Sequence, residues 1–245
     1  MLKKFKKIEL LNEFWAFVPA RSGSKGIKNK NIKKIAGIPL LAYSIKTALN
    51  CKKIKKVIFS SDSNKYINIA KKYGCEHFHK RGKRTSSDTA SELSVFQDYI
   101  KKRIKENKSI PKYFVHLRPT TPLRKIKTIN KLINHFEKFK NKTSCMRTVS
   151  LLSNPAYRYN RIINGRLCAL SKKDFDLDKW FRPRQFFPKT YLCNTIADIY
   201  KTKNIINGFL FGSRVRPFLT NDFLNDIDSI EDLKKLSYYA KKLKF

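Results

Sequence analysis

Acidic residues are scarce in this chain: 18 Asp and Glu stand against 55 Lys and Arg, for a formal charge of +37. Cysteine is scarce as well. The five that occur, Cys51, Cys75, Cys145, Cys168 and Cys193, stand singly with no CxxC pair. An odd, unpatterned set argues against a disulfide framework and against a zinc site, and it fits a reducing compartment. No run of about 18 apolar residues is present to span a membrane as a helix. The opening stretch MLKKFKKIELLNEFWAFVPA starts basic, but Asn12 and Glu13 interrupt its apolar part and it leads straight into a strand, which makes a poor signal peptide. These absences lead to the expectation of a cytoplasmic protein with no membrane association. Four histidines without paired partners give no catalytic triad. No period of 20–50 residues recurs, and no Gly/Ser/Pro-rich linker divides the chain.

What is present suits a folded α/β domain, or one with a sizeable insertion. The 245 residues are 41% hydrophobic and 13% aromatic, enough to build a buried core. So basic a chain could bind nucleic acid, an anionic membrane or a polyanionic small substrate. The charge, however, is mostly Lys, spread along the whole length as KK and KxK pairs among abundant Ile and Asn. That is the distribution of a solvated surface and argues against a dedicated nucleic-acid patch. A basic nucleic-acid-binding protein is the rival from another class, and steeply salt-dependent RNA or DNA binding without nucleotide turnover would mark it.

Apolar strands alternate with amphipathic helices. Strands are expected at Phe14–Ala20, Val57–Ser61 and Tyr113–Leu117, and helices at about Pro39–Asn50, Asn64–Tyr73, Glu92–Lys105 and Ile126–Phe139. Repeated β-loop-α units predict a doubly wound, mostly parallel sheet, in which ligands bind at the carboxyl ends of the strands. Between roughly Ser150 and Pro188 the pattern changes. Pro155, Pro183, Pro188, the turn Asn164-Gly165 and many aromatics predict a hairpin-rich insertion. The domain reading is therefore a core of residues 1–149 and 190–245 with an insertion at 150–189. Strand-like alternation returns at Tyr191–Tyr200 and Phe209–Pro217, and a helix over Ser229–Lys242 opens on Ser229 with Asp232 three residues on, close to a capping box.

The first loop, from Pro19 to Asn31, is the most informative feature. It places two glycines, two serines, Arg21, Lys25, Lys28 and Lys30 directly after a strand, where backbone N–H groups can approach phosphates while cations neutralise them. It is neither a Walker A motif nor a dinucleotide GxGxxG. Asp226 and Asp228, in Asn225-Asp226-Ile227-Asp228-Ser229, would point to one side of an extended run and offer hard oxygens to Mg²⁺. The competing reading makes them helix-start acids favoured by the dipole. The turn Arg118-Pro-Thr120-Thr121-Pro-Leu-Arg124 ends a core strand, with two prolines to stiffen it. His116, on that strand, reads as buried structure.

The stretch ARSGSKGIKNKNIKKIAGIPLLAYSI resembles the first motif of the CMP-sialic acid synthetases, the acylneuraminate cytidylyltransferases. Phe59-Ser-Ser-Asp62, Arg81 followed by Ser87-Asp-Thr-Ala90, the Arg118–Arg124 turn and the Asp226-x-Asp228 pair follow in the family's order, so the resemblance spans essentially the whole chain. It implies a nucleotide-diphosphosugar-transferase-like sheet and transfer of CMP from CTP to a sialic-acid-type nonulosonic acid, with legionaminic, pseudaminic and Kdo-like acids as alternative acceptors. It further implies that Arg21, Ser24, Lys25, Lys30, Asn31 and Arg81 hold CTP, and that Asp226 and Asp228 hold the catalytic Mg²⁺, with Arg21 and Lys25 joining them in catalysis. By the same resemblance, Arg118, Thr120, Thr121 and Arg184 are expected at the sugar, Arg184 from a protruding dimerisation arm that makes the enzyme a homodimer. One departure stands out: Thr195 occupies the place of a glycine common in the family.

Overall fold

The computed structural model describes residues 8–24, 26–170, 174–222 and 226–242. It divides into two compact units, residues 1–148 with 194–245, and residues 149–193.

The larger unit is organised on a seven-stranded sheet. Its strands are β1 (Leu10–Pro19), β4 (Ile54–Ser61), β5 (His77–Lys80), β6 (Ile110–His116), β7 (Cys145–Leu151), β10 (Tyr191–Lys201) and β11 (Val215–Leu219), in the order β11-β7-β10-β6-β1-β4-β5. β6, β1, β4 and β5 run parallel, and β10 pairs with β6 antiparallel through Asp198 opposite His116. The helices are α1 (Leu40–Leu49), α2 (Asn64–Lys72), α3 (Lys83–Ser86), α4 (Glu92–Lys105), α5 (Ile126–Phe139), α6 (Thr202–Ile206) and α7 (Ile230–Lys242). A small ribbon of β2 (Lys34–Ile35) and β3 (Ile38–Pro39) precedes α1. β1 shows why the run FWAFVPA is apolar throughout. Phe14, Ala16 and Val18 join one buried cluster with residues of α1 and α5, while Trp15 and Phe17 join a second with residues of α4. A parallel strand buried on both faces carries no polar alternation.

Local chemistry sets the helix starts. Ser63 accepts from Tyr66 N (3.4 Å) at α2 and Ser91 from Ser94 N (3.2 Å) at α4. At α7 the capping box forms: Asp232 N donates to Ser229 Oγ (3.1 Å) while Ser229 N donates to Asp232 Oδ2 (2.8 Å).

Three expectations are adjusted. β1 begins at Leu10, because Leu10 and Leu11 pair with Ile110 and Pro111 across an irregularity in register. The strand expected at Phe209–Pro217 is confined to Val215–Leu219, since Gly208 and Gly212, at φ 97° and 69°, turn the chain first. β11 is an edge strand, where Pro217 disturbs no central ladder. The Asp226–Asp228 segment is not a strand.

The smaller unit contains the hairpin of β8 (Asn160–Ile163) and β9 (Arg166–Ala169), joined by Asn164-Gly165 with both residues at positive φ. Its apolar side chains are poorly covered. Phe181 is 80% exposed, Ile162 74% and Phe186 70%.

Candidate active site

The first loop leaves β1 and is fastened at once to the end of β4. Ser22 N and Oγ donate to the two Asp62 carboxylate oxygens at 2.9 and 2.6 Å. Burial opposes the Asp62 charge, but the bonds from Ser22 outweigh it and hold the carboxyl below the usual carboxylate range. Arg21 pairs with Asp88, which ties the loop to the Ser87–Ala90 segment. Asn31 is buried and donates to Arg21 O at 3.0 Å. Lys30 Nζ donates to Ile227 O (2.7 Å) and lies 3.1 Å from Asp228 Oδ1. A Cβ on Gly26 would come within 3.2 Å of Asp228 O, a tight approach, so the loop packs closely against the acidic segment. Ile227 N in turn donates to Thr120 O at 2.9 Å. The acidic segment thus meets the Arg118–Arg124 turn, 107 residues earlier, backbone to backbone, and the first loop, 197 residues earlier, through the Lys30 side chain. Lys25 lies outside the described residues.

The first loop and the Arg118–Thr120 turn line a cavity of about 370 Å³. Arg21, Ser24, Lys30 and Asn31 contribute to it from the loop; Arg81, Glu92, Arg118 and Thr120 add polar groups; Phe17, Val95, Phe96 and His116 add ring and aliphatic surface. Arg81 is buried, and its Nε donates to Ser60 Oγ at 2.9 Å. Ser60 Oγ then gives its own proton to His79 Nδ1 (2.9 Å), and His79 Nε2–H donates to Asp98 Oδ2 (2.8 Å). Burial pushes His79 down to about 4 and Arg81 down to about 10, so at neutral pH the imidazole is neutral and the guanidinium still charged. Arg81 Nη2 is buried with no hydrogen-bond partner among the described residues.

Arg118 enters the cavity already engaged. Its Nε and Nη2 grip the Glu92 carboxylate at 2.7 and 2.8 Å, and its Nη1 reaches Asp198 at 3.0 Å. Asp198, itself buried, also accepts from Arg147 Nε (3.1 Å) and Tyr200 OH (2.9 Å). Burial works against the Arg118 charge, yet Glu92 and Asp198 raise its pKa above the ordinary arginine value.

Thr120 lines the cavity, whereas Thr121 is fully buried, with its hydroxyl 2.7 Å from that of Thr195. Thr195 sits at φ 56°, the left-handed conformation that a glycine would adopt freely. Its hydroxyl donates to Asn194 O at 2.8 Å and lies 3.4 Å from Asp226 Oδ2. Arg124 is fully enclosed and bonds Ile196 O, Ser44 Oγ and Arg118 O, fastening the Pro-Thr-Thr-Pro turn to β10 and α1. Glu92, Asp198 and Arg124 hold no assigned role in the sequence reading, and His116, read there as buried structure, is buried but also lines the cavity. Only Arg124 had a local signal, its place in the Arg118–Arg124 turn.

Asp226 and Asp228 are exposed on either side of the buried Ile227, which is pinned through Thr120 O. Among the described residues no cluster of three or more His, Cys, Asp or Glu exists. Arg184 belongs to the smaller unit, on an exposed 3-10 turn at Arg184–Phe186.

A cationic loop and a partly apolar cavity at the carboxyl ends of parallel strands suit a nucleotide. Residues 15–245 match the family model described as Cytidylyltransferase, and the chain belongs to that family. It is 31% identical over 234 residues, 95% of this chain and 97% of the relative, to the post-translational flagellin modification protein B of Campylobacter coli. It is likewise 31% identical over 228 residues to the CMP-N,N'-diacetyllegionaminic acid synthase of Campylobacter jejuni, covering 92% and 94% of the two chains. Among solved structures, a CMP:2-keto-3-deoxy-manno-octonic acid synthetase complexed with CTP shares the fold, with a TM-score of 0.67 at 13% identity over 94% of this chain and 99% of that one. Among the described residues no helix is long and apolar enough to cross a membrane.

Proposed function

We propose that the chain transfers CMP from CTP to a nonulosonic acid of the sialic acid type. The acceptor hydroxyl attacks the α-phosphorus, a new phosphate ester forms, and the bond to the β-phosphate breaks to release pyrophosphate. The observation that carries this reading is that Lys30, which lines the cavity with Arg21, also reaches Ile227 O and the Asp228 carboxylate. Arg21 and Lys30, which line the cavity, would exchange their contacts with Asp88 and Asp228 for the triphosphate, and buried Arg81 offers Nη2 to the base. Positioning and charge neutralisation carry the reaction, with little covalent chemistry asked of the protein.

Mg²⁺ fits the acidic pair. Two exposed carboxylates without a third acidic partner suit a cation that keeps several waters and completes its shell with phosphate oxygens. Asp226 and Asp228 would hold it, and it would neutralise charge on the phosphoryl oxygens. The enzyme works as a homodimer, a reading supported by the exposed Ile162, Phe181 and Phe186 of the smaller unit. Its dependence on CTP argues for the cytoplasm. Legionaminic acid is the second reading for the acceptor, favoured by the full-length likeness to the Campylobacter jejuni synthase.

Incubation with CTP, Mg²⁺ and a panel of nonulosonic acids, followed by mass spectrometry, should yield a CMP-glycoside. No such product from any acid would overturn the proposal. Light scattering should give twice the 28.8 kDa chain mass, and an active monomer would remove the dimer.

A further inference from the structure

Four buried side-chain nitrogen or oxygen atoms lack a hydrogen-bond partner among the described residues, and two of the residues that bear them line the same cavity: Arg81 with Nη2 and His116 with Nε2. An unpartnered buried polar atom is costly, and two in one cavity point to a ligand that completes both. Their chemistry is opposite. Arg81 Nη2 can only donate. For His116 the tautomer follows from its other nitrogen. Tyr200 OH spends its proton on Asp198, so at His116 Nδ1 (3.4 Å) it can only accept, and Glu92 Oε2 lies 3.8 Å from that same nitrogen. Nδ1 therefore carries the hydrogen, and Nε2, buried in a residue that lines the cavity, holds the unused lone pair. Phe96 and Phe17 supply ring surface beside it, Phe96 packed edge-on to His116 at 5.3 Å between centroids.

A flat heterocycle with an amino group on one edge position and a carbonyl on another satisfies both atoms. We propose that His116 Nε2 accepts from the exocyclic 4-amino group of cytosine while Arg81 Nη2 donates to the base carbonyl, so that His116 sets the choice of CTP over UTP. This rests on the cytidylyl-transfer reading above and adds a specificity residue to it. Uracil turns a carbonyl toward the same lone pair, acceptor against acceptor, and is rejected for that reason.

The test compares CTP with the ribonucleoside triphosphate of pyrimidin-2-one, which lacks only the 4-amino group. Wild-type enzyme should show a roughly 10–100-fold lower kcat/KM for the analogue, carried mainly by KM, as expected for one unmade hydrogen bond at a buried acceptor. His116→Leu should bring CTP down to the level of the analogue and leave the analogue nearly unchanged. His116→Gln, which keeps an acceptor, should recover part of the difference. Should His116→Leu not fold, the comparison of the two nucleotides on wild-type protein still decides. Equal use of CTP and analogue by the wild type, an unchanged ratio in a folded His116→Leu, or an effect of His116→Leu confined to the KM of the sugar acid would each overturn the assignment. Calorimetric affinities for the two nucleotides read the same discrimination without turnover. A protein that discriminates but transfers nothing would defeat the transferase reading and leave the role of His116 standing.

Discussion

Two sets of charges at and around the cavity behave in opposite ways. In its wall and behind it, Arg118, Glu92, Asp198 and Arg147 neutralise one another through bonds of 2.7–3.1 Å, and behind Arg81 the Ser60–His79–Asp98 chain is closed in the same manner. Toward solvent, Arg21, Asp226 and Asp228 are held in place from behind, by backbone contacts to Asn31, Thr120 and Gly26. The inner set is closed by buried bonds, whereas the outer set makes its pairs, Arg21 with Asp88 and Asp228 with Lys30, at exposed positions. A count of cations could not separate the two, because Arg118 and Arg21 look alike in a sequence with 55 basic residues.

Substitutions should divide along that line. Asp226→Asn and Asp228→Asn keep shape and remove charge from the outer set. Each should lower kcat roughly 10²–10⁴-fold with a melting temperature near wild type. If the two acids only favour the start of α7, kcat stays normal and a small loss of stability appears instead. Asp198→Ala should do the reverse and cost about 3–5 kcal/mol in urea unfolding, because it removes the buried carboxylate that Arg118 and Arg147 share. A variant as stable as wild type would show that the inner network is dispensable.

The third effect is a pH dependence. His79 is lowered to about 4 by burial, so the unfolded chain binds a proton there at pH values where the folded one does not. The neutral imidazole contributes its full stability above about pH 6.5, and that contribution falls as pH drops toward 4, by roughly 2–3 kcal/mol in all. His79→Gln should flatten this acid limb, and identical slopes for both proteins would contradict the assignment. The smallest effect expected is that of Ser229→Ala, which removes the acceptor for Asp232 N. It should cost about 1 kcal/mol and leave kcat within twofold.

The strongly periodic segments were legible to the residue: α4 at Glu92–Lys105 and α5 at Ile126–Phe139 run as their patterns predict. The hairpin at Asn164-Gly165 and the capping box of α7 were legible from turn and cap chemistry. The phosphate-loop residues could be named because they are consecutive. Partners set by the sheet could not. Asp198 faces His116 only because β10 pairs antiparallel with β6, and Glu92 meets Arg118 only because α4 covers that face. For the same reason Thr121, read as a ligand residue, is instead buried against Thr195. The loss of the usual glycine at Thr195 was visible. That the backbone keeps the left-handed conformation, secured by Asn194 O and the Thr121 hydroxyl, was not.

The most direct test of the account is pyrophosphate release from each of the four ribonucleoside triphosphates, with Mg²⁺ and a nonulosonic acid that the enzyme accepts. The account predicts release from CTP and, for UTP, ATP and GTP, rates lower by a factor of at least about ten. Equal release from CTP and UTP would contradict it.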